Sequence, residues 1–281
     1  MYRLATVLGL ATTIHTPQGL SVVPMIPKVI HYCWFGRNPL PKKAIKCIDS
    51  WKKYLPDYEI KEWNEDNFDV NIIPYTSEAY KAKKYAFVSD YARFWILYKY
   101  GGLYFDTDVE VIRPMDSIIT HGPFMGCENE SIGKGSITLG VAPGLGLGVN
   151  PGLGLGVNPG LGLIKEILDI YGQMHFLNDK GEKIENKTIV SHTTEILVKH
   201  GLQDTNNIQC IEGVFIYPKE YFCPQNYYTG KLHITDKSYS IHHYSATWLP
   251  WYEKLERFLF GLFKLRYRGI IRRHIIMRFF C

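Results

Sequence analysis

The chain has 281 residues, 46% hydrophobic and 21% charged, proportions that suit one large folded α/β domain with short appendages and exclude a disordered polymer. Its net charge of +5 is uneven: from Glu253 onward eight Lys/Arg face two Glu, a local +6 that leaves the remainder near −1, so the basicity belongs to the tail and is no evidence for nucleic-acid binding by the main body. Six cysteines, at 33, 47, 127, 210, 223 and 281, show neither C-x-x-C nor zinc spacing, which argues against a disulfide framework and for free thiols in a reducing compartment.

Residues 1–24 hold one apolar run, Leu4 to Ala11, too short to cross a bilayer and without a convincing cleavage site, so they are expected to be an extension outside the fold. Lys28 to Trp34 reads as a first central strand. Pro39-Leu40-Pro41 starts a helix with Ile45, Ile48, Trp51 and Leu55 at helical spacing, ending before Pro56. Tyr58 to Trp63 is a second strand, and this strand–helix–strand order predicts a Rossmann-like nucleotide-binding half. Residues 64–80 read as irregular and polar.

The stretch from Tyr85 to Val111, YAFVSDYARFWILYKYGGLYFDTDVEV, organises the rest. Phe87, Tyr91, Phe94 and Tyr98 form a helical apolar stripe, and Asp90 and Arg93, three apart, share a face and can reach a common ligand. Gly101-Gly102 stops the helix. Leu103-Tyr104-Phe105 reads as a short buried strand that delivers Asp106-Thr107-Asp108 at its carboxyl end. Two carboxylates so placed repel unless a cation lies between them, and they are hard oxygen ligands suited to Mn²⁺ or Mg²⁺. An isolated Asp-x-Asp is ordinarily an acidic turn; the aromatic strand, the Gly-Gly stop and the Asp/Arg helix before it favour a metal and phosphate site.

This run, SDYARFWILYKYGGLYFDTDV, resembles the DXD-containing sugar transferases of glycosyltransferase family 32, among them bacterial capsule and exopolysaccharide enzymes and fungal Golgi mannosyltransferases. The resemblance implies a GT-A-like α/β fold with a mixed central sheet, a UDP- or GDP-sugar donor, a glycan or lipid-linked glycan acceptor, and retention of anomeric configuration. It assigns catalysis to Asp90, Arg93, Asp106 and Asp108, and the metal to Asp106, Asp108 and one histidine of His242-His243, with His243 narrowly favoured. Donor binding is expected at Trp34, stacked on the base, and at His31, Asp90, Arg93, Tyr104, Asp106, Thr247 and Trp248. Met25, opening MIPKVIHYCWFG, resembles the usual start of bacterial members, so the domain is drawn as 25–250.

Beyond the motif, 109–114 and 124–130 read as strands, Leu163 to Phe176 and Thr188 to His200 as helices, and Ile208 to Tyr217 and Ser238 to Tyr244 as strands. Between them Pro143 to Asn150, PGLGLGVN, is repeated letter for letter at 151–158 and continued as PGLGL at 159–163. The repeat is expected to be an insertion, a flexible or loosely β-like loop near the acceptor side, and without a following Lys or Ser/Thr it is no phosphate loop. Residues 251–281 form a basic amphipathic segment that suits an anionic membrane surface slightly better than a helix packed on the domain with a solvated basic face, so the chain is expected to be cytoplasmic and peripheral on the inner face of the plasma membrane. A nucleotide-sugar-binding protein whose turnover the insertion has abolished is the alternative, and a phosphoryl-transfer hydrolase ranks below it for want of a second acidic cluster.

Overall fold

The computed structural model describes residues 25–130, 147–184, 188–226 and 230–245. The expectations for 1–24, for Thr247 and Trp248, and for the basic segment 251–281 all lie outside the described residues.

Nine strands and seven helices follow one another along the described chain. Strand β1, Val29–Cys33, lies parallel between β2, Glu59–Trp63, and β3, Gly102–Tyr104. Helix α1, Lys42–Tyr54, connects the first two and buries Ala44, Cys47, Ile48 and Trp51. Ile45, expected on that stripe, is 46% exposed, so the buried face is rotated by one position. Trp51 Nε1 donates to the Val109 carbonyl at 2.8 Å and Ser50 Oγ accepts from the Val111 amide at 2.9 Å, which pins α1 to the short strand β4, Val109–Val111.

Residues 64–80 are not wholly irregular. Helix α2, Pro74–Lys81, begins with Pro at its first turn, where the missing N–H costs nothing. Helix α3, Tyr85–Tyr100, buries Val88, Tyr91, Ala92, Arg93, Phe94, Ile96 and Leu97, more than one stripe, because it is wedged between the sheet and a second helical layer. It ends at Gly101, which has φ of +65°, as the Gly-Gly pair predicts.

The largest departure from expectation is the Gly-Leu repeat. Residues Val149–Val157 form strand β6, in the middle of a seven-stranded mixed sheet ordered β2-β1-β3-β6-β5-β8-β7, where β5 is Phe124–Cys127, β7 Gln209–Ile211 and β8 Val214–Tyr217. Every residue of β6 is buried. Alternating glycine suits this place because neighbouring rings lie flat on the backbone: a Cβ on Gly156 would fall 2.3 Å from the Phe124 ring. The leucines supply what the glycines lack, Leu155 packing into one core and Leu153 into the other. β6 is antiparallel to both neighbours, and its register on β5 jumps, with Met125 opposite Leu155 but Gly126 opposite Asn150. Pro151 to Gly154 therefore bulges out of the ladder with no partner on β5.

One hydrophobic core, with Phe94, Leu97, Val149, Leu155, Ile164, Ile167 and Tyr171, lies under α3 and the helices α5, Gly162–Gly172, and α6, Ile189–Lys199. The other, with Ile30, Trp51, Leu103, Phe105, Val109, Phe124 and Leu153, lies under α1. Helices α4, Asp116–Ile119, and α7, Lys219–Phe222, are single turns. Strand β9, Ser240–His242, pairs antiparallel with β4 as a separate ribbon. The five described cysteines are all free thiols, as expected.

Candidate active site

Helical spacing puts Asp90 and Arg93 on one face of α3, one turn apart, and the parallel pairing of β1 and β3 brings Asp106 to the same end of the sheet. Arg93 is 4% exposed and sits between two carboxylates, its Nη2 3.0 Å from Asp90 and its Nη1 3.2 Å from Asp106. Its Nε donates to the Ser89 carbonyl, and its guanidinium lies 4.8 Å above the Tyr104 ring. Tyr104 donates its hydroxyl to Asp106 at 3.2 Å. A buried cation with each side of its fork satisfied is a rigid strut, and it holds the Asp106 carboxylate in one orientation. Burial pushes the Asp90 carboxyl up to about 7, against the opposing pull of Arg93.

The bulge of β6 completes the seat of Asp106. Its amide donates to the Gly152 carbonyl at 2.9 Å, and the carboxylate rests on the bare Cα of Gly152, where a Cβ would stand 1.9 Å from Oδ2. No signal in the sequence ties an octapeptide repeat to this role. Asn150 and Ser245 were likewise invisible: Asn150 holds the bulge through an Oδ1 acceptor to the Gly152 amide, and the Ser245 amide donates to Asp108 Oδ2 at 2.7 Å.

Asp108 is organised by the ribbon. Pairing of Val109 with His242 places the imidazole Nε2 3.3 Å from Asp108 Oδ1. Burial alone would raise this carboxyl, but the charge and hydrogen bond of His242 and the Ser245 amide outweigh it and hold Asp108 well below the usual carboxylate range. His243 faces the other way, as alternation requires, with Nε2 2.7 Å from Glu110. The narrow preference for His243 is therefore corrected: His242 is the histidine beside the acidic pair.

His31 is also not brought to the site. It is 2% exposed, with Nδ1 accepting from Trp63 Nε1 at 3.0 Å and Nε2 3.0 Å from the Gly101 carbonyl, and burial lowers its pKa to about 4. With both nitrogens committed it is a neutral core residue. Trp34 stands just past the carboxyl end of β1, half-buried, its Nε1 donating to the Asn38 carbonyl at 2.6 Å.

Among the described residues no group of three or more His, Cys, Asp or Glu is assembled to hold a metal ion. Asp106 is occupied by Arg93 and Tyr104, whereas Asp108 and His242 present one oxygen and one nitrogen donor once the imidazole gives up the proton it shares with Asp108. That pair fits a divalent cation whose remaining positions belong to a ligand's oxygens and water, as Mg²⁺ and Mn²⁺ prefer.

Residues 41–125 match the family described as the glycosyltransferase sugar-binding region containing a DXD motif, and Asp106-Thr107-Asp108 lies inside the matched segment. The chain is 32% identical over 123 residues to inositol phosphoceramide mannosyltransferase 3 of Schizosaccharomyces pombe, covering 42% of this chain and 34% of that protein. Inositol phosphoceramide mannosyltransferase 1 of the same yeast is 29% identical over 119 residues, covering 38% and 36%. The chain thus matches about a third of the length of these curated relatives, which are fungal proteins. Among solved structures, the PaToxG glycosyltransferase is 20% identical with a TM-score of 0.43, covering 62% of this chain and 70% of that one. A glycosyltransferase involved in glycosylation of the major capsid of PBCV-1 is 12% identical with the same TM-score, covering 84% and 100%.

Proposed function

We propose, from the match of residues 41–125 to the glycosyltransferase sugar-binding region containing a DXD motif, that this chain transfers a sugar from a nucleotide-diphosphate donor to a glycan or lipid-linked acceptor. The observation that carries the reading is the Asp90–Arg93–Asp106 chain of ion pairs set beside the Asp108–His242 pair. Asp106, fixed by Arg93, Tyr104 and Gly152, is pre-organised to accept hydrogen bonds from donor hydroxyls, and that positioning lowers the entropy cost of reaching a reactive geometry. Asp90 keeps Arg93 in place and presents the second carboxylate to the same pocket of charge. Asp108 and His242 would hold Mn²⁺ or Mg²⁺, which when bound supplies charge neutralisation for the departing diphosphate.

Trp34 remains the base-stacking candidate, and retention of configuration remains the expected stereochemistry. Because the curated relatives are mannosyltransferases, a mannosyl donor is the first to test. Residues 251–281 are proposed to rest on an anionic membrane face, a contact that co-sedimentation with anionic vesicles reads directly.

Thermal-shift measurement against UDP- and GDP-sugars, with and without Mn²⁺, tests the donor site, since a ligand of the native state raises the midpoint by mass action. The expected outcome is a shift that needs both Mn²⁺ and one nucleotide and is lost in Asp108→Asn. Wild-type rates of sugar transfer in both Asp106→Asn and Asp108→Asn would overturn the assignment. Donor binding without transfer to any acceptor would favour the nucleotide-sugar-binding alternative.

A further inference from the structure

A chain of polar groups runs along one side of the site. From Asp106 the path passes through the Gly152 carbonyl and amide to Asn150 Oδ1, and Asn150 Nδ2 then donates to Glu128 Oε2 at 2.8 Å. On the other side His242, paired with Asp108, lies near enough to Glu128 to act on its ionisation, as does Lys219. Glu128 follows the last residue of β5 and is joined through Asn150 to the bulge that seats Asp106, while the charge of His242 favours its ionised form.

Three roles fit a half-buried carboxylate here. As a structural brace it would serve Asn150 through Oε2, and among the described residues only Oε2 has a hydrogen bond, which leaves Oε1 for a further donor. A metal ligand would join Asp108 and His242, whereas the hydrogen bond of Glu128 goes to Asn150, on the Asp106 side. The third role is contact with substrate. We propose that Glu128, oriented by Asn150, accepts a hydrogen bond from a ring hydroxyl of the sugar being transferred. Burial pushes the Glu128 carboxyl up while Asn150 opposes it, so a single amide does not replace the water it has lost. Neutral hydroxyl donors on a sugar restore that solvation without a counter-ion, and Asn150, bonded to both Glu128 and the bulge, sets the distance between this carboxylate and Asp106. The inference rests on the transferase reading.

Its test compares binding of the nucleoside diphosphate alone with binding of the intact nucleotide sugar, both in Mn²⁺ buffer, by calorimetry on wild type, Glu128→Gln and Glu128→Ala. A contact to the sugar leaves diphosphate affinity within about twofold in both variants. It weakens nucleotide-sugar affinity roughly tenfold or more in Glu128→Ala, the size of one hydrogen bond to a charged group. Glu128→Gln, which keeps an acceptor, loses less. Equal loss for both ligands would mean a structural role, and no loss for either would mean no contact; each overturns the proposal. If wild type binds no nucleotide, the transferase reading falls first and this proposal with it. Unchanged unfolding midpoints in the two variants separate these outcomes from misfolding.

Discussion

An added methyl group at Gly152 would meet Asp106 Oδ2 at 1.9 Å and Arg93 Nη1 at 2.9 Å. Because Gly152 lies in the bulge and not in the ladder, Gly152→Ala is expected to displace the carboxylate more than the sheet. A shift of about 1 Å can cost roughly a hundredfold in productive geometry. Donor affinity measured by calorimetry should fall by at least tenfold, while the thermal midpoint moves by only a few degrees. His31 makes the opposite case. His31→Ala removes two buried hydrogen bonds and packed volume, so urea unfolding should show a loss of about 2–4 kcal/mol, with donor affinity unchanged in the folded fraction. Its folded pKa of about 4 lies below the unfolded 6.5, so the folded state binds fewer protons between those values. The stability it contributes is present above pH 6.5 and is lost as pH falls towards 4. At this scale Asp90, Arg93, Asp106 and Asp108 were legible because they are close in sequence and their chemistry is scarce in such spacing. His31 was misplaced because β1 told which strand it occupies but not which of its faces the Trp63 indole would cover. Gly152, Asn150 and Glu128 were hidden because their roles depend on contacts across strands.

Helices α5 and α6 are tied at the surface by His200, whose Nε2 is 2.7 Å from Glu166 while Nδ1 is 3.4 Å from Glu212. The hydrogen bond to Glu166 raises the His200 pKa, so this link is complete below pH 6.5 and fades as pH rises through the folded value. His200→Gln should therefore flatten the alkaline side of a plot of midpoint against pH and leave the acid side, where His31 titrates, unaltered. The repeat makes a sharper case at the element scale. Deleting residues 143–150 joins Ala142 to Pro151 and restores a strand V-A-P-G-L-G-L-G-V, identical to β6 except for Ala at the position of Asn150. That deletion is expected to keep the fold, since shortening a connection by eight residues changes closure entropy little. It should lose donor affinity through the missing Asn150, and placing Asn at position 142 in the deleted chain should restore it. Strands read as insertions mislead when glycine is taken as a mark of looseness; here it marks where Phe124 and Asp106 press on the backbone.

For the molecule as a whole, the strand–helix–strand start and the acidic strand end predicted a mixed α/β sheet, and that is the architecture found. The strand order was not legible. β6 enters the centre of the sheet from the far side of the sequence, and the β4–β9 ribbon joins residues more than a hundred apart. Such pairings are chosen by the total burial of both cores, not by any local pattern. They also explain why the site draws on four separate segments, with Asp90, Asp106, Asn150 and His242 as representatives.

The letter-for-letter copy has a consequence for how the chain finds that sheet. Residues 141–149 and 149–157 are interchangeable candidates for the central strand, and they differ only at Ala142 against Asn150. Hydrophobic matching, which ordinarily selects a register, is blind between them. Two hydrogen bonds from Asn150, roughly 2 kcal/mol together, do the selecting, a preference of about thirty to one. Asn150→Ala should accordingly leave two frames in comparable amounts, seen as doubled amide signals along β6, and the chain would then be a single sequence with two folded addresses for the same strand.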